Sequence, residues 1–193
     1  MGRKSVLFLI LVLPFVVYLF LKIFGENKYE IPVFYENGIT FSECFQTQKK
    51  PFLVPDLEKF LEEPGEHPVL QEKTSLIFVY SSLNPSAEFC LNELSRLMQT
   101  KFSGYQIQAL ALSDRKASGV GNGIIFVNGN SDSIIRYVNC GLVMSQKPDT
   151  TITDNLHWIV LVDSKKQIRG YYDATDYEEY DRLAAEVDIL VNE

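Results

Sequence analysis

The sequence holds only three cysteines, Cys44, Cys90 and Cys140, and no two of them are spaced as Cys-x-x-Cys or Cys-x-x-x-Cys. A dithiol redox motif is therefore excluded, and an odd count excludes a fully paired disulfide framework. One pair can still bridge outside the cytoplasm, and both Cys44–Cys90 and Cys44–Cys140 stay open. Histidine is limited to His67 and His157. Basic residues are also few. The net charge is −7, and with Arg3, Lys4 and Lys22 set aside, acids outnumber bases by 25 to 15. Such a surface repels nucleic acid and anionic lipid. The plain reading of the acidity is solubility, and a cationic partner or a metal ion is the sharper one. Internal repeats and low-complexity tracts are absent.

Charge is missing altogether from residues 6–21. A helix over residues 5–24 would measure about 30 Å, the thickness of a hydrocarbon core. Lys22 can snorkel to the interface, and Pro14 is tolerated in a membrane helix. Arg3 and Lys4 precede the run, so residues 1–4 are expected in the cytoplasm and the rest of the chain on the outer, periplasmic side. No small-x-small cleavage site or lipobox cysteine follows, so the segment reads as an uncleaved anchor. Residues 25–30 form a short polar linker. The remainder, residues 31–193, suits one domain of about 165 residues, large enough to bury a core without staples.

Within that domain, residues 31–41 predict a β-hairpin around Asn37-Gly38, with Pro32 at an edge. Residues 52–54 predict a short strand, and residues 56–63 a helical turn. The apolar run 76–80 predicts a strand buried on both faces. Asn84-Pro85 then offers an N-cap and a first helical residue, and Cys90, Leu94, Leu97 and Met98 share one face of the helix that follows. Residues 105–112 and 124–127 read as strands. A helix capped at Asn130 or Ser131 ends at Gly141. Residues 158–162 and 167–172 read as a strand and its return. Thr175-x-x-Glu178 is a capping box for a last helix striped by Tyr180, Leu183, Ala184, Val187 and Leu190. The order β-α-β-α-β-β-α after a hairpin predicts an α/β domain of thioredoxin-like architecture.

The C-terminal stretch narrows this further. Trp158 to Asp163, with the pattern L-V-D, then Ile168-Arg169-Gly170-Tyr171-Tyr172-Asp173, Thr175-Asp176 and Asp181-Arg182-Leu183, resembles the end of Sco/SenC proteins. The likeness runs more weakly back through Ile125–Gly129 and Leu94–Arg96. What it implies is a membrane-anchored thioredoxin-fold protein that assists assembly of the copper centre of respiratory oxidases. Members of that family hold copper with two cysteines after the first core strand and a histidine before the strand at Trp158. Soft thiolates suit Cu(I), and imidazole completes the set. In this chain the two thiol positions fall near Leu83 and Ala87, and neither residue can ligate copper.

Cys90 is then the nearest thiol, on the apolar face of its helix, where a small core residue is the ordinary reading. His157 lies close to the histidine position. These two are the candidate metal ligands. His67 reads as surface. Asp173, Asp176, Glu178 and Glu179 read as macrodipole complements and solubilising charge. Tyr171, Tyr172, Tyr177 and Tyr180 form an aromatic group whose exposed part suits docking. No proline precedes Trp158, where thiol-disulfide oxidoreductases of this fold carry a cis-proline. The sequence therefore points to a non-enzymatic accessory protein, without cofactor, whose partner is an envelope or membrane protein such as a respiratory oxidase component. Two alternatives stand beside it: a residual copper carrier using Cys90 and His157, and a one-cysteine thiol oxidoreductase.

Overall fold

The computed structural model describes residues 12–20, 22, 30–39, 44, 50–57, 60, 70, 73–114, 120–121, 123–144 and 156–192. Two compact units are present, residues 1–30 and residues 31–193. In the first, residues 12–20 are helical and the side chains of residues 13–20 are exposed, Phe15 and Tyr18 among them. Among the described residues no helix is long and apolar enough to cross a membrane. The rest of the expected span over residues 5–24, apart from Lys22, lies outside the described residues.

The second unit is built on a six-stranded mixed sheet in the order β3-β4-β2-β1-β5-β6. Its strands are β1 (Thr74–Tyr80), β2 (Ile107–Ser113), β3 (Val120–Gly121), β4 (Ile124–Asn128), β5 (Trp158–Val162) and β6 (Ile168–Asp173). Helix α1 (Ala87–Gln99) connects β1 to the parallel β2, and β4 lies parallel beyond β2. On the other side of β1, β5 runs antiparallel and turns back into β6. A short helix α2 (Ser131–Arg136), continued by a π-turn at Tyr137–Gly141, precedes β5, and helix α3 (Tyr177–Val191) closes the chain. This β-α-β unit joined to an antiparallel β-β-α unit is the thioredoxin-like arrangement that the sequence order predicts.

Side chains of β1 alternate between two cores, as the period of a strand requires. Leu76 and Phe78 pack with Ala109, Ala111, Ile159 and Leu161 under α1 and α3. Ile77 and Val79 pack on the opposite face with Leu110, Leu112, Val160 and the segment holding Phe52, Val54 and Leu57. Cys90, Leu94 and Leu97 of α1 and Tyr180, Leu183 and Val187 of α3 are the buried stripes expected from their spacing. Leu190 is only partly buried.

Several local expectations are corrected. The predicted hairpin is absent from residues 30–39, which form no strand, and residues 40–43 lie outside the described residues. Pro32 offers no N–H, and Tyr35 has φ of +57°, so a ladder cannot run through either position. The Tyr35 carbonyl instead accepts from Gly38 N–H (2.9 Å) and Phe52 N–H (3.2 Å), while Phe34 N–H donates to the Ile168 carbonyl at the edge of β6 (2.8 Å). Residues 52–54 likewise form no strand and make a single bond to the sheet end, Val54 N–H to the Lys166 carbonyl (2.8 Å). Helix α1 begins three residues after Asn84, because that side chain is drawn inward. The capping box at Thr175 does not form. Thr175 hydrogen-bonds Asp173, and Asp176 caps α3 by accepting from Glu178 N–H (2.9 Å). The cap at Asn130 forms as expected, through Ser133 N–H (2.7 Å).

The open question of cysteine pairing is settled as Cys44–Cys140, with Cα atoms 5.4 Å apart and Cys90 left free and buried. Cys140 lies in the π-turn, whose close winding seats Gly141 on the Tyr137 ring. A Cβ at Gly141 would lie 2.8 Å from that ring. The bridge closes a loop with a sequence separation of 96 and ties residue 44 to the face covered by Tyr137 and Leu142. Cross-links of this span restrict the unfolded chain strongly. Replacing Cys44 and Cys140 together by alanine should therefore lower unfolding free energy by about 2–4 kcal/mol with the far-ultraviolet spectrum retained. Urea titration checks this. An unchanged midpoint would show that the bridge contributes nothing to stability.

Candidate functional site

In open α/β sheets, sites form beyond the carboxyl ends of parallel strands. Here β1 and β2 end side by side, at Tyr80 and Ser113. The turn after β1 carries Ser81, Ser82, Leu83 and Asn84, and the residue after β2 is Asp114. The Asp114 carboxylate accepts from the hydroxyls of Ser81 (2.6 Å), Ser131 (3.2 Å) and Ser82 (3.3 Å). Partial burial alone would raise its pKa, but these bonds and the Ser82 N–H prevail and hold the carboxyl below the usual aspartate range. The carboxylate thus joins the β1 turn, the end of β2 and the start of α2 into one polar cluster.

Asn84 closes the turn from beneath. Its amide is buried and donates to the carbonyls of Val79 (2.9 Å) and Leu156 (2.8 Å), while its oxygen accepts from Ser86 N–H (3.0 Å). One side chain therefore ties the end of β1 to the approach to β5 and the entry to α1. Of the two positions where the resemblance places thiols, Leu83 is 44% exposed and Ala87 is buried at the first turn of α1.

Cys90 is 1% exposed on the inner face of α1. Its thiol is hydrogen-bonded to the Tyr180 hydroxyl, whose own proton goes to the Ala174 carbonyl (2.9 Å). Burial pushes the thiol up to about 12, and the Tyr180 bond offsets this only in part. His157 lies just before β5. Its Nε2 is 3.8 Å from the Asp173 carboxylate, and its ring lies 5.3 Å from that of Trp158. Thiol and imidazole thus make separate contacts, one inside the helical core and one at the sheet end. Among the described residues no group of three His, Cys, Asp or Glu side chains is placed to hold a metal ion. His67 lies outside the described residues.

The tyrosine group divides in two. Tyr172 and Tyr180 are buried, with Tyr172 donating to Glu186 (2.6 Å). Tyr171 donates to the Leu142 carbonyl (2.8 Å), and Tyr177 is 63% exposed beside Phe89, their ring centroids 5.1 Å apart. Asp114 and Ser131 are site residues that the sequence reading did not single out. The available signal was topological: Asp114 directly follows the second of two adjacent parallel strands.

No protein-family profile matches the chain, and no curated protein does. Solved structures do. A SCO1/SenC family lipoprotein from Bacillus anthracis is 12% identical with a TM-score of 0.48, covering 72% of this chain and 92% of its own. BsSco, a member of the Sco family of cytochrome c oxidase assembly proteins, is 14% identical with a TM-score of 0.47, over 74% and 92%. Yeast Sco1 with copper bound is 18% identical with a TM-score of 0.42, over 71% and 90%. The chain is thus similar to Sco/SenC proteins of known structure, the family whose C-terminal pattern residues 158–190 resemble.

Three measurements follow from this geometry. Asn84→Ala removes the amide that donates to the Val79 and Leu156 carbonyls and should cost about 2–4 kcal/mol in urea unfolding, whereas a surface change such as Asp132→Asn should cost under about 0.5 kcal/mol. Cys90 should resist iodoacetamide in the folded chain at pH 8 and react once the chain is unfolded. Its raised pKa also favours the folded state below pH 9.0, and that contribution is lost as pH rises from 9.0 towards about 12. Cys90→Ala should flatten that part of the pH–stability curve. Rapid native-state alkylation would show the thiol to be accessible and reactive.

Proposed function

We propose that this chain is a membrane-tethered accessory protein of Sco/SenC type that acts by binding a partner protein and has given up thiol redox and copper chemistry at the β1–α1 turn. The observation that carries the reading is the turn itself. Where copper-holding thiols would stand there are Leu83 and Ala87, and the space is organised by Asn84 and the Asp114–serine cluster. Hydroxyls and a buried amide are poor ligands for soft Cu(I). The residues present do not fit the ion.

A working thiol enzyme is disfavoured on the same grounds. Cys90 is sealed in the core with its proton held to about pH 12, and the other two cysteines are joined to each other. Thiolate, not thiol, is the nucleophile and the metal ligand. The copper-carrier alternative would need both Cys90 and His157, whose side chains are engaged with Tyr180 and with Asp173.

Placement outside the cytoplasm is supported by the Cys44–Cys140 bridge, since such bonds persist in oxidising compartments. The uncharged residues 6–21 behind Arg3 and Lys4 support anchoring with the folded unit outside. The partner we infer is an envelope or membrane protein, with a component of a respiratory oxidase as the leading candidate on the resemblance.

Titration of the purified full chain with Cu(I) against a competing chelator should show no stoichiometric capture, and cross-linking in native membranes should recover a membrane partner. Stoichiometric Cu(I) binding abolished by Cys90→Ala would replace this reading with that of a copper carrier. Recovery of no envelope partner would remove the binding role.

A further inference from the structure

A groove of about 540 Å³ opens beside the edge of the sheet, bounded by Pro32 and Phe34, strand β6 and the first turns of α3. Its size is that of a pocket for one or two side chains or a small ligand. Its walls are aromatic: Phe34 is 37% exposed and stands edge-on to Tyr171, with centroids 5.4 Å apart, and Trp158 lines the same space.

Its rim is anionic. Asp173, Asp176, Glu179 and Glu186 contribute four carboxylates. Two guanidiniums also line the groove, but each is already committed. Arg169 is buried, paired with Asp163 (3.1 Å) and donating to the Ile31 carbonyl (2.7 Å). Arg182 bridges Glu179 (2.9 Å) and Glu186 (3.4 Å), donates to the Tyr171 carbonyl and lies 4.6 Å over the Tyr172 ring. The partial positive charge at the start of α3 is met by Asp176 and Glu178. Among the described lining residues four carboxylates thus face two guanidiniums around aromatic walls, with Arg169 neutralised by Asp163 and Asp173 3.8 Å from His157.

Aromatic faces bounded by carboxylates attract cationic side chains through ring quadrupole and charge together. The rest of the unit adds to the field, since acids exceed bases along the chain. We propose that this groove docks a lysine- or arginine-bearing segment of a partner protein. The proposal rests on the partner-binding reading above and names the surface and the chemistry of the partner.

Trp158 is the sole tryptophan of the chain and lies in the groove, so its fluorescence reports occupancy. The full chain in non-ionic detergent is titrated with a ten-residue peptide of alternating arginine and glycine. Parallel titrations use the same peptide with citrulline for arginine, and spermine. The expected result is a saturable change with the arginine peptide and none with the citrulline peptide. The double change Asp176→Asn and Glu186→Gln should weaken binding by about tenfold, and Phe34→Ala by a similar factor. Asn preserves the cap of α3, and Gln preserves an acceptor for Tyr172, so the double variant keeps the fold. Asp132→Asn on α2, a control for diffuse charge, should leave affinity unchanged. Absence of saturation, an equal loss with Asp132→Asn, or spermine binding as tightly as the peptide each overturns the proposal. Membrane cross-linking separates it from the reading beneath it. A partner recovered equally by the native chain and the double variant sinks the groove alone, while no partner with the native chain sinks the binding role itself.

Discussion

Strand β1 lies inside the sheet with β2 on one side and β5 on the other, so its ladder is taken on both edges and neither face meets water. Both faces must therefore be covered, and each is covered differently. Helices α1 and α3 supply one side from local, strongly periodic sequence. The other side is assembled from pieces far apart in the chain: Phe52, Val54 and Leu57, the π-turn around Tyr137, and Leu156. The Cys44–Cys140 bridge and the Tyr137 hydroxyl bond to the Pro55 carbonyl (3.3 Å) join those pieces to one another. Burial of one central strand thus accounts for the helical layer, the irregular layer and the cross-link that belongs to the irregular layer.

What could be read from the sequence follows the same division. Strands β1, β2, β4 and β5 are legible as short apolar runs, β6 as the return strand after a turn, and helices α1 and α3 by apolar stripes at helical spacing. The N-terminal hairpin misled because Asn37-Gly38 is a genuine turn signal, while its flanks contain Pro32 and the left-handed Tyr35. Phe34 instead stands edge-on to Tyr171, and Tyr35 edge-on to Phe52, without forming a ladder. The cap of α3 moved by one residue because Asp173 competes for Thr175. Asn84 was legible as a turn residue but not as a brace. Its role depends on Leu156, 72 residues away, and no local pattern encodes that contact.

The candidate site shows a related limit. That no cysteine stands at the two positions where the resemblance places thiols is visible in the sequence alone, because it is a statement about residue identity. What organises that turn is visible only in three dimensions, as the Asp114 carboxylate gathers three serine hydroxyls from the β1 turn and the start of α2. The apolar helical face that carries Cys90 in the sequence agrees with its burial, and the structure adds Tyr180 as its hydrogen-bond partner.

Cys90 also lies between Cys44 and Cys140 in chain order. A thiolate at that position could attack either sulfur of the finished bridge and shuffle the pairing. Sequestration of that middle sulfur within the helical layer leaves Cys140 as the remaining mate. Hiding one thiol thus guards the finished bridge against exchange in the folded chain, through packing and the Tyr180 contact together.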